Sequence, residues 1–125
     1  MADSAPYKIH LSPAARRDVL AAMKWSVKEF GVQAALRYDI LISQALKDLR
    51  EDPERAGSRE RSEIMVNGAR TYHLAYSRSS VPGRTVKSPR HFFLYRVKGQ
   101  VLEIARLLHD AREIPRHLPE RYRTR

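Results

Sequence analysis

Arginine and histidine side chains in the second half of the chain could cleave a phosphodiester bond without a metal. Arginine stabilises the charge that develops on a phosphate in the transition state, and histidine can move protons at the 2′-hydroxyl and the leaving oxygen of RNA. Arg96 is one of the candidate cations in this stretch. The candidates for a joint site are Arg70, Arg106, His109 and Arg112. Their spacing decides whether they can act together.

The spacing of these candidates argues against a preformed catalytic site. In a regular strand alternate side chains point to opposite faces, which would group Leu102, Ile104, Arg106 and Leu108 against Ala105, Leu107 and His109. Arg106 and His109 would then converge only if the strand ended or bulged between them. A structural role, with these side chains bonded to strand-end carbonyls or to Asp110, is the simpler interpretation.

Other catalytic and metal-binding patterns are missing from the sequence. The chain has no cysteine, which excludes disulfides, thiolate nucleophiles and thiolate metal ligands. The other histidines show no metal-ligand spacing such as H-x-x-x-H. No glycine-rich phosphate loop and no serine nucleophile motif occurs. We therefore expect neither a metal nor a cofactor.

Most of the net charge of +10 lies in the second half of the chain. Residues 1–53 hold eight Lys and Arg against seven Asp and Glu, whereas residues 54–125 hold sixteen against seven. Such a segment should attract phosphates or an acidic protein, although a charged face that only aids solubility would have the same composition. The residues expected on this basic surface are Arg78, Arg84, Lys87, Arg90, Arg96 and Lys98.

Two helices are predicted in the first half of the chain. A short alternating strand over residues 7–11 precedes a helix that begins at Ser12-Pro13 and runs to about Phe30. Gly31 ends this helix, and a second amphipathic pattern covers residues 32–50. Two helices joined by one short turn should pack as an antiparallel hairpin.

Three strands are predicted in the second half. Residues 71–76 alternate in polarity, and two apolar runs, 92–97 and 101–108, flank Lys98-Gly99, which suits a tight hairpin turn. Between them, residues 77–90 form a long basic loop. We expect one α+β domain over residues 1–125, a three-stranded antiparallel sheet with the helical hairpin on one face. A helical turn near residues 115–118 and a frayed tail, 119–125, should follow.

Aromatic residues on the strands have two possible roles. Tyr72, Tyr76, Phe92, Phe93 and Tyr95 lie among arginines and could stack on bases. Aromatic residues that alternate along strands covered by helices belong more often to the core, which favours protein binding over direct nucleic-acid binding. Trp25 lies beside the apolar stripe of its helix, a position that suits an interface anchor or simple partial burial.

Three segments of the chain match a known pattern in their order and spacing: YKIHLSPAARRDVLAAMKWSVKEFG, DPERAGSRE and FFLYRVKGQVLEIARLLHDAR. Through them the chain resembles the ParE/RelE superfamily of toxins from bacterial type II toxin–antitoxin systems, and the ParE branch in particular. The resemblance covers nearly the whole chain outside residues 77–90, where the connection usual in the family is shorter. It implies the ParE/RelE fold and a toxin held inactive by an antitoxin.

The resemblance leaves two targets open. ParE-like toxins are associated with poisoning DNA gyrase, whereas RelE-like toxins cut messenger RNA on the ribosome, and the shared fold does not choose between them. The lack of a convergent acid–base cluster favours a gyrase inhibitor that is not itself an enzyme. In the alternative, Arg70, Arg106, His109 and Arg112 would serve a metal-independent endoribonuclease.

The resemblance also implies a cognate ParD-like antitoxin in a toxin–antitoxin hetero-oligomer. An acidic C-terminal antitoxin segment should fold on the basic surface, with apolar contacts at Trp25, Tyr72, Phe92 and Tyr95. Plasmid stabilisation and growth arrest are the expected biological effects. No apolar run approaches the roughly 20 residues that span a bilayer, and the N-terminus has no signal-peptide pattern, so we expect a cytoplasmic protein.

Overall fold

Two long helices pack against one face of a five-stranded sheet. The structure, a computed structural model, describes residues 6–61 and 68–111. Arg112, the helical turn predicted near residues 115–118 and the predicted tail lie outside these residues. The elements are β1 Lys8–Leu11, α1 Pro13–Phe30, α2 Val32–Glu51, β2 Arg59–Glu60, β3 Arg70–His73, a 3-10 helix Leu74–Ser80, β4 His91–Lys98 and β5 Val101–His109.

The helical hairpin forms as predicted because its ends are encoded locally. The hydroxyl oxygen of Ser12 accepts a hydrogen bond from the Ala15 N–H, so that serine caps α1, and Pro13 occupies the first turn. Gly31, at a φ of 91°, separates the two helices in a conformation that favours glycine. None of the described helices has the length and apolar character needed to cross a membrane.

The sheet has more strands than the sequence predicted. Its order is β1-β5-β4-β3-β2, with β1 parallel to β5 and the other pairs antiparallel. The α+β architecture with the helices on one face is confirmed, and the three predicted antiparallel strands form as β3, β4 and β5. The sheet differs from the prediction at its edges: the predicted N-terminal strand joins it as β1, parallel to β5 through residues 8–11, and the unpredicted β2 adds only Arg59 and Glu60.

The strand predicted over residues 71–76 ends early. β3 stops at His73, and the chain continues as a 3-10 helix, so Tyr76 and the start of the predicted 77–90 loop lie in helical structure. The imidazole Nδ1 of His73 accepts a hydrogen bond from the Ala75 N–H, which caps this helix. The Tyr72 hydroxyl reaches forward to Ser77 Oγ at 2.8 Å. The strand ends here despite its alternating pattern because the His73 side chain satisfies the Ala75 N–H locally. The bond between Tyr72 and Ser77 also holds the 3-10 helix against the end of β3.

A bulge interrupts β5. Leu94 is opposite Arg106 and Tyr95 is opposite Ile104, so Ala105 has no partner of its own on β4. The extra residue reverses the alternation, and Leu107, not Leu108, joins Leu102 and Ile104 in the buried cluster beneath the helices. The predicted face shared by Leu102, Ile104, Arg106 and Leu108 is therefore wrong.

Candidate functional site

Helix α1 takes over from β1 as the neighbour of β5. The Ser12 N–H donates to the Ile104 carbonyl at 3.0 Å, and the Ser12 hydroxyl donates to the Ala105 carbonyl at 2.8 Å. One turn further on, an Asp18 carboxylate oxygen accepts a hydrogen bond from the Leu107 N–H at 2.9 Å. These contacts fix the end of β5, where the candidate catalytic residues lie, against the first half of α1.

Arg106 is held by the same aspartate. Its guanidinium forms two hydrogen bonds to Asp18, from Nε at 2.7 Å and from Nη2 at 2.9 Å, and both side chains are mostly buried. This bidentate pair raises the pKa of Arg106, against the opposing effect of burial. The cation is therefore already neutralised by a carboxylate in the folded chain.

An aromatic cluster surrounds the end of β5. The Trp25 ring meets the rings of Phe30, Tyr38, His91 and His109 edge to face, with centroids 5.5 to 6.1 Å apart. The two histidine rings are 5.3 Å apart, because their residues are directly opposite each other on β4 and β5. The tryptophan thus ties α1 and α2 to the strand ends.

His91 is a neutral acceptor within this cluster. The Arg90 N–H donates to the Tyr38 hydroxyl at 2.9 Å, and the hydrogen of that hydroxyl is available for His91 Nδ1 at 2.6 Å, which accepts it in the tautomer that carries its proton on Nε2. Burial, helped by the positive charge that His109 and His73 can carry, lowers the pKa of His91 to about 4. Burial likewise raises the pKa of Tyr38 to about 12.

Asp110, which directly follows β5, binds two further side chains. One carboxylate oxygen accepts from His73 Nε2 at 3.1 Å, and the other accepts from Arg90 at 3.1 Å. Partial burial would raise the pKa of Asp110, but these two hydrogen bonds and the nearby positive charge lower it overall. Asp110 therefore stays ionised, and it links β3, β5 and the segment before β4.

An open cavity of about 810 Å³ lies beside the aromatic cluster, and we call it the Trp25 cavity. Trp25, Phe30 and Tyr38 give it aromatic surface, and residues 84–88 also line it. His109 also reaches it. The cationic residues that line it are Arg37, Arg84, Lys87 and Arg90. None of the described residues in its lining carries a carboxylate.

The predicted ribonuclease residues do not come together as a group. Arg106 and His109 line one small cavity of about 230 Å³, although β5 does not bulge between them. Arg70 is opposite Tyr95, whereas His109 is opposite His91, an offset of four residues or roughly 13 Å along β4, and β4 lies between the two strands that carry them. Arg112 is outside the described residues.

Arg70 instead stabilises a hydrogen-bonded network around the buried Tyr95. It donates to Ser58 Oγ at 2.6 Å, Ser58 bonds to the Tyr95 hydroxyl, and that hydroxyl donates to the Pro53 carbonyl at 2.5 Å. Burial raises the pKa of Tyr95, which keeps the phenol a donor. The chain of bonds holds the 53–58 connection against the sheet.

Only part of the predicted antitoxin surface is accessible. Tyr72 and Tyr95 are fully buried, and Phe92 borders a cavity of about 280 Å³ on the other side of the sheet's end, beside Tyr76. Trp25 is partly exposed and lines the Trp25 cavity. A contact surface for a partner can therefore centre on Trp25 in the folded chain, but not on the two tyrosines.

The predicted basic surface divides into paired and unpaired residues. Arg78 donates to the Val86 carbonyl at 2.7 Å, and Arg96 pairs with Glu103 at 3.0 Å across the β4–β5 hairpin. Arg90 pairs with Asp110 at 3.1 Å. Arg84 and Lys87 line the Trp25 cavity, and Lys98 is exposed at the hairpin turn; the side chains of these three have no partner among the described residues.

Several residues of the site were missed from the sequence, among them Asp18, Arg37, Tyr38, Thr85 and His91. Each lies on a segment that has neighbours in the site distant in sequence, so only the helical spacing of Tyr38 gave any signal, and that signal indicated core. Among the described residues, no group of three or more His, Asp or Glu could hold a metal ion.

Comparisons with known proteins identify the family. The sequence model described as "ParE toxin of type II toxin-antitoxin system, parDE" matches residues 9–114. A search of curated proteins found no match. The chromosomal ParDE toxin–antitoxin system from P. aeruginosa is similar in structure, with a TM-score of 0.61 at 21% identity, covering 82% of this chain and 95% of that one.

A second solved structure is the RelBE2 toxin–antitoxin complex from Mycobacterium tuberculosis, with a TM-score of 0.45 at 20% identity, covering 84% of this chain and 99% of that one. The match of the family model spans the helical hairpin, the sheet and the Trp25 cavity, so it covers every element that builds the site. The chain therefore belongs to the ParE toxin family of type II toxin–antitoxin systems, within the ParE/RelE superfamily.

Proposed function

We propose that this toxin acts by inhibiting DNA gyrase and that a cognate ParD-like antitoxin neutralises it in the cytoplasm. The observation that carries the proposal is the match of residues 9–114 to the ParE toxin family. In this proposal the chain binds its target and has no catalytic activity of its own.

The geometry of the arginines supports binding over RNA cleavage. Arg106 is neutralised by Asp18, and Arg70 is committed to Ser58 about four strand residues from His109. A ribonuclease needs its cations and its proton-transfer group around a single phosphate. The described residues would have to break two sets of hydrogen bonds to reach that arrangement.

The surface near Trp25 supports an acidic, partly apolar antitoxin segment. Phe30, Val32 and Leu36 are more than half exposed near the junction of the two helices, and Arg84 and Lys87 line the Trp25 cavity. Apolar anchors would supply most of the affinity, while opposite charges would accelerate the encounter. The relatives of known structure are toxin–antitoxin assemblies, which is consistent with a hetero-oligomer.

The test is gyrase supercoiling of relaxed plasmid in the presence of the purified chain. We expect loss of supercoiling and accumulation of cleaved DNA after denaturation. His109→Ala should retain this inhibition, and His10→Ala, at an exposed position on β1, is the matched control. Gyrase that stays fully active, or inhibition abolished by His109→Ala in a folded protein, would contradict the proposal.

Messenger RNA cleavage is the second candidate function. It is favoured by one observation: His109 borders both the cavity with Arg106 and the cationic Trp25 cavity. The test is to map messenger RNA ends during toxin induction. Cuts located at codons that disappear in Arg106→Ala or His109→Ala would support cleavage, whereas normal translation during induction would exclude it.

A further inference from the structure

We infer that the Trp25 cavity is a binding site for a nucleoside phosphate, with the base against the apolar wall and the phosphate on Arg84 and Lys87. This inference does not depend on the gyrase inhibition proposed above, but the site shares Arg84 and Lys87 with the surface proposed there for the antitoxin, so the two ligands would compete. The inference rests on three features of the cavity: its size and apolar wall, the state of its cations, and one buried hydroxyl group.

The size and wall of the cavity suit a ligand with a planar ring. Its volume of about 810 Å³ is in the range of roughly 300 to 1,000 Å³ that is typical of small-molecule sites. Trp25, Phe30 and Tyr38 line it, and the Trp25 ring contacts the other two, so they form a continuous aromatic surface. Aromatic walls bind nucleobases because every base has a π-face that can stack.

The cationic residues that line the cavity favour a multiply charged anion. Arg37, Arg84 and Lys87 line the cavity, and within residues 6–61 and 68–111 their side chains form no hydrogen bond or ion pair. Arg90 is different, because it is already bonded to Asp110. Three cations facing one cavity without a carboxylate match a phosphate, which carries up to two charges and several strong acceptor oxygens.

Thr85 supplies the third feature. Its hydroxyl is buried at the cavity wall and has no hydrogen-bond partner among the described residues. A buried hydroxyl without a partner is costly, so such groups in folded proteins usually meet a water molecule or a ligand. A nucleotide, which has donors and acceptors on both sugar and base, can satisfy this group while its phosphate reaches the neighbouring Arg84.

The experiment uses the single tryptophan of the chain as the reporter. The full-length ¹⁵N-labelled protein gives one indole N–H resonance, from Trp25, and adenosine 5′-triphosphate is titrated in a phosphate-free buffer. We expect a saturable shift of this resonance. Adenosine alone and tripolyphosphate alone should each bind at least tenfold more weakly, because each lacks half of the recognised chemistry.

Substitutions locate the site. Arg84→Ala and Lys87→Ala should each weaken binding about tenfold, as expected for the loss of a charge-assisted hydrogen bond. Thr85→Val keeps the shape and should weaken binding roughly threefold to tenfold through loss of a neutral hydrogen bond. Lys98→Ala is the matched control, since this exposed lysine is seven residues from His91 along β4, roughly 23 Å at strand spacing.

Four results would overturn the inference. They are no shift at millimolar nucleotide, equal affinity for tripolyphosphate, undiminished binding in both Arg84→Ala and Lys87→Ala, and tighter binding of a single-stranded oligonucleotide than of the nucleotide. The last result would make the cavity a contact for nucleic acid. Gyrase is absent from the assay, so its outcome is independent of the proposed gyrase inhibition.

Discussion

Replacing His91 by asparagine should remove an acid-sensitive component of the folding stability. The imidazole is 6% exposed, and its Nδ1 accepts a hydrogen bond from Tyr38. Burial lowers its pKa in the folded chain to about 4, compared with 6.5 for an exposed histidine. Because the folded state resists protonation, the unfolded state binds the proton first as the pH falls.

The sign and size of the effect follow from this difference. The full stability is present above pH 6.5, and it decreases as the pH falls from 6.5 to about 4. A difference of about 2.5 pH units corresponds to an upper limit of about 3 kcal/mol at 1.36 kcal/mol per unit. A loss of that size is a large fraction of the stability of a typical domain, roughly 5 to 15 kcal/mol.

The assay is urea unfolding at pH 7, 6, 5 and 4, followed by circular dichroism. Asparagine is chosen because its side-chain oxygen can accept the Tyr38 hydroxyl where Nδ1 does now. His91→Asn should be less stable at pH 7, because ring contacts are lost, but its stability should decrease by up to about 3 kcal/mol less between pH 6.5 and pH 4.

The matched control is His10→Asn. His10 is exposed on β1, and its imidazole stays in contact with water in the folded chain, so this variant should follow the pH dependence of the wild type. If His91→Asn follows it too, the proton on His91 is not linked to folding. The assignment of a neutral, buried acceptor would then be wrong.

Three further substitutions test other contacts of the site by urea unfolding. Asp18→Asn should lower the free energy of unfolding by about 2 kcal/mol, because the Asp18 carboxylate accepts three hydrogen bonds, two from Arg106 and one from the Leu107 N–H. The control Asp39→Asn, at an exposed position on α2, should change the free energy of unfolding by less than about 0.5 kcal/mol. Thr85→Val should raise it by about 1 kcal/mol in the ligand-free protein, because a buried hydroxyl without a described partner is removed; a decrease would contradict this reasoning. Gly57→Ala should lower it by at least about 1 kcal/mol, because Gly57 has a φ of 98° and an added Cβ would meet the Tyr76 ring; an unchanged near-ultraviolet spectrum would show that this ring does not move.

The elements predicted correctly are those whose ends are encoded by neighbouring residues. Ser12 and Pro13 set the start of α1, Gly31 separates the helices, and Lys98-Gly99 closes the β4–β5 hairpin with Gly99 at a φ of 60°. Each signal acts within four residues, so the sequence pattern is sufficient. The helix α2 ends at Glu51, one residue beyond the predicted Arg50.

The features that were missed depend on distant partners. The parallel pairing of β1 with β5 joins residues more than 90 positions apart, and nothing near Lys8 indicates whether its neighbour is parallel or antiparallel. The bulge at Ala105 is equally hidden, because alanine is compatible with either register. The same limit applies to the site. Trp25 could be singled out by its position on α1, whereas the role of Asp18 depends on the packing of α1 against β5.

The contact between Asp18 and Arg106 offers a way to separate the two candidate functions. Beyond β1, the edge of β5 must be covered, and Asp18 does so by binding both the Leu107 N–H and the Arg106 guanidinium. If the toxin inhibits gyrase by binding, Asp18→Asn should reduce inhibition only in proportion to the unfolded fraction. If it cleaves RNA, the same change frees a cation beside His109, and cleavage per folded molecule should rise because the phosphate no longer competes with a carboxylate. Comparing activity per folded molecule at a temperature where both proteins stay folded therefore distinguishes a structural arginine from a catalytic one.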